Sequence, residues 1–189
     1  GSSGRAVEVL IDPVIDDVGT IQEMRFYEQM LGRPRDPKEW LYMVYLTAPP
    51  FSSLDGKYPT FTISNDCPPE LAVSHIKMLK PKILTGFASY FNRMAEHIKY
   101  PGELGIEAIS TNSETSTPEE RKRISDIFGA PVFDEYSSVE LGYIATQCRL
   151  GRYHLVEDNV RVDVINKDQN GMGDLVATDL NNTYFPMIR

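Results

Sequence analysis

From Trp40 to Phe133, apolar runs of strand length alternate with stretches of helical period, and after Glu140 the helical stretches stop. Strands joined through helices run parallel, with the helices packed on the faces of the sheet, so this rhythm restricts most of the chain to an α/β architecture. Trp40 to Leu46 reads as a buried strand set among Pro34, Pro37, Pro49, Pro50 and Pro59. Pro68-Pro69 opens a helix with Leu71, Ala72, His75, Ile76 and Leu79 on one side, then come a strand at Lys82 to Leu84 and a helix from Phe87 to His97. Ile106 to Ser110 is a further strand, and Thr117-Pro118-Glu119-Glu120 is a helix start in which Thr117 caps and Glu120 completes a capping box. That helix turns Ile124, Ile127 and Phe128 inward and ends at Gly129, before a strand at Ala130 to Phe133. Upstream, Ala6 to Ile11 reads as a strand, and Val14, Val18, Ile21 and Met24 recur at helical spacing through a segment closing at Leu31-Gly32.

Beyond Glu140, Tyr143 to Gln147, Tyr153 to Val156, Val160 to Ile165 and Leu175 to Thr178 are strand-like runs without helices between them, and Asn170-Gly171 marks a turn between the last two. The expected fold class is therefore α/β: a parallel-rich sheet flanked by helices, followed by a mostly antiparallel β portion. The expected division is an α/β part over residues 1–142 and an antiparallel β subdomain over 143–189.

The 189 residues suffice for one domain with a real core. Nineteen basic against 27 acidic side chains give a net charge of −8, which argues against nucleic-acid and anionic-membrane partners, since both require clustered Lys and Arg. Two cysteines, Cys67 and Cys148, are too few for a disulfide scaffold and fit a reducing compartment, the cytoplasm by default. No apolar run reaches the length of a membrane span, and the first residues are not a signal peptide. The chain ends at Tyr184-Phe185-Pro186-Met187-Ile188-Arg189 while an apolar stretch is still running, so a longer parent is expected.

Three places carry chemistry. Gly1-Ser2-Ser3-Gly4-Arg5 runs into a strand and offers backbone N–H groups and hydroxyls to an anion, or else is a remnant of expression. Asp134-Glu135-Tyr136-Ser137-Ser138-Val139-Glu140 follows an apolar strand, at the end where ligands sit in open α/β sheets. There Glu140 is suited to Mg²⁺ and Tyr136 to a flat ring, the plainer alternative being a solvated loop with Tyr136 at the core edge. Cys148 and His154 flank a turn and offer two zinc ligands where tetrahedral zinc needs four; the plainer alternative is a buried thiol and a surface imidazole. His75 and His97 read as ordinary helix histidines, Tyr58, Phe61 and Tyr90 as core, and no serine or cysteine has the partners of a nucleophile triad.

Taken in order, four stretches resemble the AMP-forming acyl-activating (adenylate-forming) superfamily, in particular its phenylacetate–coenzyme A ligase and capsular polysaccharide biosynthesis branch. Gly1 to Val7 resembles the back of that family's Ser/Thr/Gly phosphate loop, which answers the remnant reading. Ile109 to Glu114, leading into Pro118 to Gly129, is similar to the strand, Gly-Ala-Glu turn and helix that frame the adenine. Asp134 to Glu140 lines up with D-x-Y-G-x-S/T-E, and Gly173 to Leu180 followed by Tyr184 to Arg189 is similar to GELVxTxL...PLIRYR. Ser137 stands where the family has Gly, and Val139 where it has the Ser or Thr that meets the α-phosphate, so one donor is lost unless Ser138 substitutes.

The resemblance covers a central part of the family's length, a partial N-terminal domain without the ribose-binding Asp and the C-terminal lid. It implies a ligase that uses ATP and Mg²⁺ to adenylate a small carboxylic acid and then passes the acyl group to coenzyme A. Its implied site residues are Gly1, Ser2, Ser3 and Gly4 on the phosphates, Ser113, Glu114 and Asp134 at the base edge, Tyr136 against the adenine, Glu135, Ser137 and Ser138 beside it, and Glu140 on Mg²⁺. In some members of the branch zinc is held by a Cys, a His and a downstream Cys-x-Cys, so Cys148 and His154 correspond to half of such a site. The resemblance further implies little turnover by residues 1–189 alone; the oligomeric state is not readable from the sequence, and a homodimer is one assembly left open. Two other readings are open: a non-catalytic nucleotide-binding or assembly module on the same fold, and an unrelated α/β transferase using a nucleotide sugar.

Overall fold

The computed structural model describes residues 9–10, 13–46 and 49–185, so the Gly1–Gly4 loop, most of the expected strand at Ala6 to Ile11, and Pro186–Arg189 lie outside the described residues. The first helix, α1, runs Pro13–Leu31. It stops at Gly32, whose φ of 70° suits a left-handed cap and whose N–H bonds Glu28 O at 2.8 Å. Its buried face does not follow the expected stripe at Val18, Ile21 and Met24. Gln22, Phe26 and Met30, at i, i+4 spacing, are buried together with Tyr27 and Leu31, while Ile21 is 59% exposed. The larger apolar surface of Phe26, Tyr27 and Met30 decides which side turns inward.

The strands that follow are β1 (Leu41–Tyr45), β2 (Phe51–Leu54) and β3 (Lys57–Ser64). The β2–β3 hairpin is absent from the sequence reading, which took Pro49, Pro50 and Pro59 as punctuation. Its signal was Asp55-Gly56, whose φ angles of 49° and 75° are those of a type I′ hairpin turn. Pro59 sits at an irregularity in the pairing, just before the regular β1–β3 register opens at Leu41 with Thr60.

From there the elements alternate as expected: α2 (Pro69–Leu79), β4 (Ile83–Gly86), α3 (Ala88–Ala95), β5 (Ala108–Thr111), α4 (Pro118–Phe128) and β6 (Val132–Ser138). The capping box forms, with Glu120 N–H to Thr117 Oγ1 at 3.2 Å and Thr117 N–H to Glu120 Oε2 at 2.8 Å. Next come β7 (Gly142–Gln147), β8 (Tyr153–Leu155), β9 (Val160–Ile165) and β10 (Asp174–Asp179). Eight strands form one mixed sheet in the order β2-β3-β1-β4-β5-β6-β7-β8, parallel from β3 to β6 and antiparallel at both margins. Strands β9 and β10 pair in a separate antiparallel ladder. Hydrogen bonding thus continues across residue 142, from β6 through β7 to β8.

Alternate strand residues point to opposite faces, and the core divides accordingly. Leu41, Ile83, Ala108 and Phe133 pack under α1. Tyr42, Val44, Leu84 and Ile109 pack with α2, α3 and α4, where Phe91 and Phe128 meet edge to face at 6.2 Å. Tyr90 is fully buried as core, and His75 is packed, its Nδ1 3.1 Å from Tyr42 Oη. On α2 the buried set is Ala72, Val73 and Ile76, with Leu71 exposed against expectation. Gly86 closes β4 with φ of 144°, and a Cβ there would lie 2.5 Å from Val44 O, so the approach of β1 to β4 requires glycine. This assignment of the α2 face makes Ile76→Ala cost about 2–5 kcal/mol in urea unfolding, whereas Leu71→Ala stays within about 0.5 kcal/mol; equal costs would contradict it.

Candidate functional site

Parallel pairing of β4, β5 and β6 sets Gly86, Thr111 and Asp134 side by side at the carboxyl ends of three neighbouring strands. In sheets of this kind ligands sit outside those ends. Asp134 does not begin a loop, as expected, because β6 runs on to Ser138 and pairs antiparallel with β7 from Glu135 onward. The polar segment is therefore strand for most of its length, and its side chains alternate between the two faces.

On the α4 face Asp134 is a point of convergence. Thr111 Oγ1 donates to its Oδ1 at 2.9 Å and Ser116 Oγ at 3.1 Å, with Arg121 Nη1 at 3.6 Å from the same oxygen. Tyr153, on β8, donates its hydroxyl to Oδ2. Arg121 Nη1 also bonds Ser116 O at 2.6 Å and Ser116 Oγ at 2.9 Å. Beyond β5, Ser113 takes a left-handed φ of 64°, and Asn112 Nδ2 bonds Thr85 Oγ1 at 3.0 Å. The turn delivers the Glu114 carboxylate to the start of α3, where it accepts from Ser89 N–H at 2.5 Å and Ser89 Oγ at 3.0 Å. Phe87 has no capping side chain, so Glu114 supplies the negative charge that this helix end favours.

Further along the strand, Tyr136 is 47% exposed. Ser138 Oγ accepts from Leu141 N–H at 3.2 Å, which leaves the hydroxyl proton outside that contact. Val139 is 70% exposed at the β6–β7 turn. Glu140 occupies the same turn half-buried, held in neither an ion pair nor a hydrogen bond among the described residues.

Glu135 points the other way, toward α1. Burial pushes its carboxyl up to about 7, against the hydrogen bond from Ser137 Oγ at 2.7 Å and with the Glu23 carboxylate adding to the rise. Burial also raises Glu23, which accepts from Tyr27 Oη at 2.6 Å, and raises the Tyr27 and Tyr143 phenols. Ser137 is thus engaged on the α1 side.

The β7–β8 turn carries Cys148 and His154. The Leu150 N–H is the main cause that draws the Cys148 thiol down to about 7, with the Arg152 N–H and the His154 ring contributing. Among the described residues no group of three or more His, Cys, Asp or Glu side chains is placed to hold a metal ion. Arg149 of this turn reaches the end of α1, its Nη2 2.7 Å from Met30 O. Two open grooves mark the surface: one of about 670 Å³ between α4 and the β7–β8 turn, the other of about 410 Å³ between α1 and β7–β8. Neither is lined by Glu114, Tyr136 or Glu140. No described helix is long and apolar enough to cross a membrane.

Sequence reasoning missed Thr111, Ser116, Arg121, Gln147 and Tyr153, the groups that surround Asp134. Only Thr111 and Ser116 carried a local signal, hydroxyls at the tip of an apolar strand.

No family model matches the chain, and neither does any curated protein. Solved structures do match. A 2-hydroxyisobutyryl-CoA ligase in complex with 2-HIB-AMP and CoA has a TM-score of 0.77 at 20% identity, over 95% of this chain and 44% of that one. The fold is that of part of an acyl-CoA ligase. An acyl-CoA synthetase of Brucella canis gives 0.62 at 16% identity over 94% of this chain and 35% of its own. A benzoate CoA ligase from Burkholderia xenovorans gives 0.58 at 11% identity over 88% and 39%. The chain thus spans less than half the length of these ligases.

Glu135 supplies a pH test of the face under α1. Its pKa is raised on folding from 4.5 to about 7, so its contribution is fully present below 4.5 and is lost as pH rises through about 7. Between about pH 5 and about pH 8 the urea midpoint of the wild type falls relative to that of Glu135→Gln, the other titrations being common to both. Parallel curves would contradict this environment.

Proposed function

We propose that this protein is an ATP-dependent, AMP-forming acid–CoA ligase of the phenylacetate–coenzyme A ligase type. One observation carries this proposal: the match over 95% of the chain to a ligase held with 2-HIB-AMP and CoA. It is supported by the pairing of Thr111 with Asp134 at the ends of parallel strands, with the Ser113-Glu114 turn directly after β5 and the exposed Tyr136 ring two residues along β6.

The carboxylate oxygen of the acid attacks the α-phosphorus of ATP, forming an acyl-adenylate as pyrophosphate leaves; the thiol of coenzyme A then attacks the acyl carbonyl and AMP leaves. Two anions must meet in the first step, so the protein's work is alignment and charge neutralisation. Mg²⁺, when bound, screens the phosphate oxygens. Glu140 fits it, being a hard oxygen donor on a tight turn with no competing partner among the described residues. Gly1, Ser2, Ser3 and Gly4, which lie outside the described residues, are assigned to the outer phosphates by the resemblance of their sequence to a phosphate loop. Tyr136 stacks on the base, and Asp134 with the Ser113-Glu114 turn borders its edge. Ser138 stands in for the hydroxyl that Val139 lacks, since its oxygen only accepts from Leu141 and its proton is free for the α-phosphate. Cys148 and His154 supply two of the four ligands that zinc requires, and no group of three or more His, Cys, Asp or Glu forms with them among the described residues. In this scheme the partners are small molecules, and the protein works in the cytoplasm.

Val139 favours a second assignment, a nucleotide-binding module without catalysis. The two separate in an ATP–pyrophosphate exchange assay on the natural full-length chain across a panel of aryl and short aliphatic acids. The ligase shows acid-dependent exchange that falls about 100-fold or more in Glu140→Gln. ATP binding without exchange for any acid would establish the module instead.

A further inference from the structure

We infer that Tyr153 and Gln147, on the β7–β8 hairpin, are positioning residues that fix the Asp134 carboxylate at the strand-end site. This assignment rests on the nucleotide role given to Asp134 above.

The donors around Asp134 run in one direction. Arg121 Nη1 donates to Ser116 Oγ at 2.9 Å, so the Ser116 proton is directed to Asp134 Oδ1 at 3.1 Å. Thr111 gives its proton to the same oxygen at 2.9 Å, its contacts to Ser116 Oγ and Phe133 O being longer at 3.3 Å. Both acceptor positions of Oδ1 are then filled. Oδ2 takes the Tyr153 hydroxyl and keeps one position open. Where that last lone pair points is set by Tyr153, because Oδ1 alone acts as a pivot about which the carboxylate can turn.

Gln147 anchors the same residue through the main chain. Asp134 N–H donates to Gln147 Oε1 at 3.1 Å, and Gln147 Nε2 donates to Gly151 O at 3.0 Å, tying the hairpin turn to β6. Tyr153 is 48% exposed, so packing holds its ring only in part. Burial and then the bond to Asp134 push its phenol up to about 12, in keeping with a proton held toward the carboxylate. A carboxylate oxygen with a single aimed lone pair selects a donor, such as the exocyclic amine of adenine, over the carbonyl oxygen of hypoxanthine in the same place.

The test compares the full-length wild type, Tyr153→Phe, Asp134→Asn and the double variant, using ATP and inosine triphosphate in the exchange assay. Expected for Tyr153→Phe is a KM for ATP raised about five- to tenfold, kcat within about twofold, and a reduced preference for ATP over inosine triphosphate. The double variant should match Asp134→Asn, because Tyr153 acts only through that carboxylate. Gln147→Met should follow the same KM pattern. Equal losses with both nucleotides, kcat falling with KM, or additive effects in the double variant would overturn the inference and leave Tyr153 a stabilising contact. If the wild type shows no exchange, the ligase proposal falls while calorimetric ATP binding still decides this one: the same non-additive pattern in Kd supports it, and an unchanged Kd in Tyr153→Phe or no ATP binding by the wild type overturns it.

Discussion

A carboxylate gripped at the junction of three elements organises the carboxyl ends of the parallel strands. Asp134 ends the parallel pairing of β6 with β5, and from the next residue β6 pairs with β7 in the opposite sense. Thr111, Ser116 and Tyr153 fix the Asp134 side chain there from β5, the α4 approach and β8. This cluster is thus built on strands rather than on a loose loop, which holds its side chains in a fixed geometry.

The two faces of β6 carry different chemistry. On the α4 side Asp134 gathers donors and a guanidinium, at home in a polar setting. On the α1 side Glu135 shares a half-buried pocket of acid and phenol groups with Glu23, Tyr27 and Tyr143, where burial opposes ionisation. One strand therefore presents an anchored polar group on one face while keeping a weakly acidic contact under the helix on the other.

Much of the fold was legible because its signals are local. Thr117 and Glu120 lie three residues apart, and Gly32 and Gly129 end helices through their own backbone freedom. The β2–β3 hairpin escaped since its prolines masked the Asp55-Gly56 turn, and the face of α1 was misjudged because apolar spacing does not weigh one residue's bulk against another's. The site was legible only as a motif. Asp134 to Glu140 stood out in sequence, but that this segment is strand depends on β7, which follows it in the chain. Tyr153 and Gln147 meet Asp134 across 19 and 13 residues, a separation no periodicity reports.

The central claim is that a nucleotide lies over the ends of β5 and β6. A crystal structure of the full-length protein with a hydrolysis-resistant acyl-adenylate analogue tests it most directly. The account places the adenine against Tyr136, its edge bordered by the Ser113-Glu114 turn and Asp134, and the phosphate mimic toward Glu140. Density for the nucleotide in the groove between α4 and the β7–β8 turn, with the strand ends vacant, would contradict it.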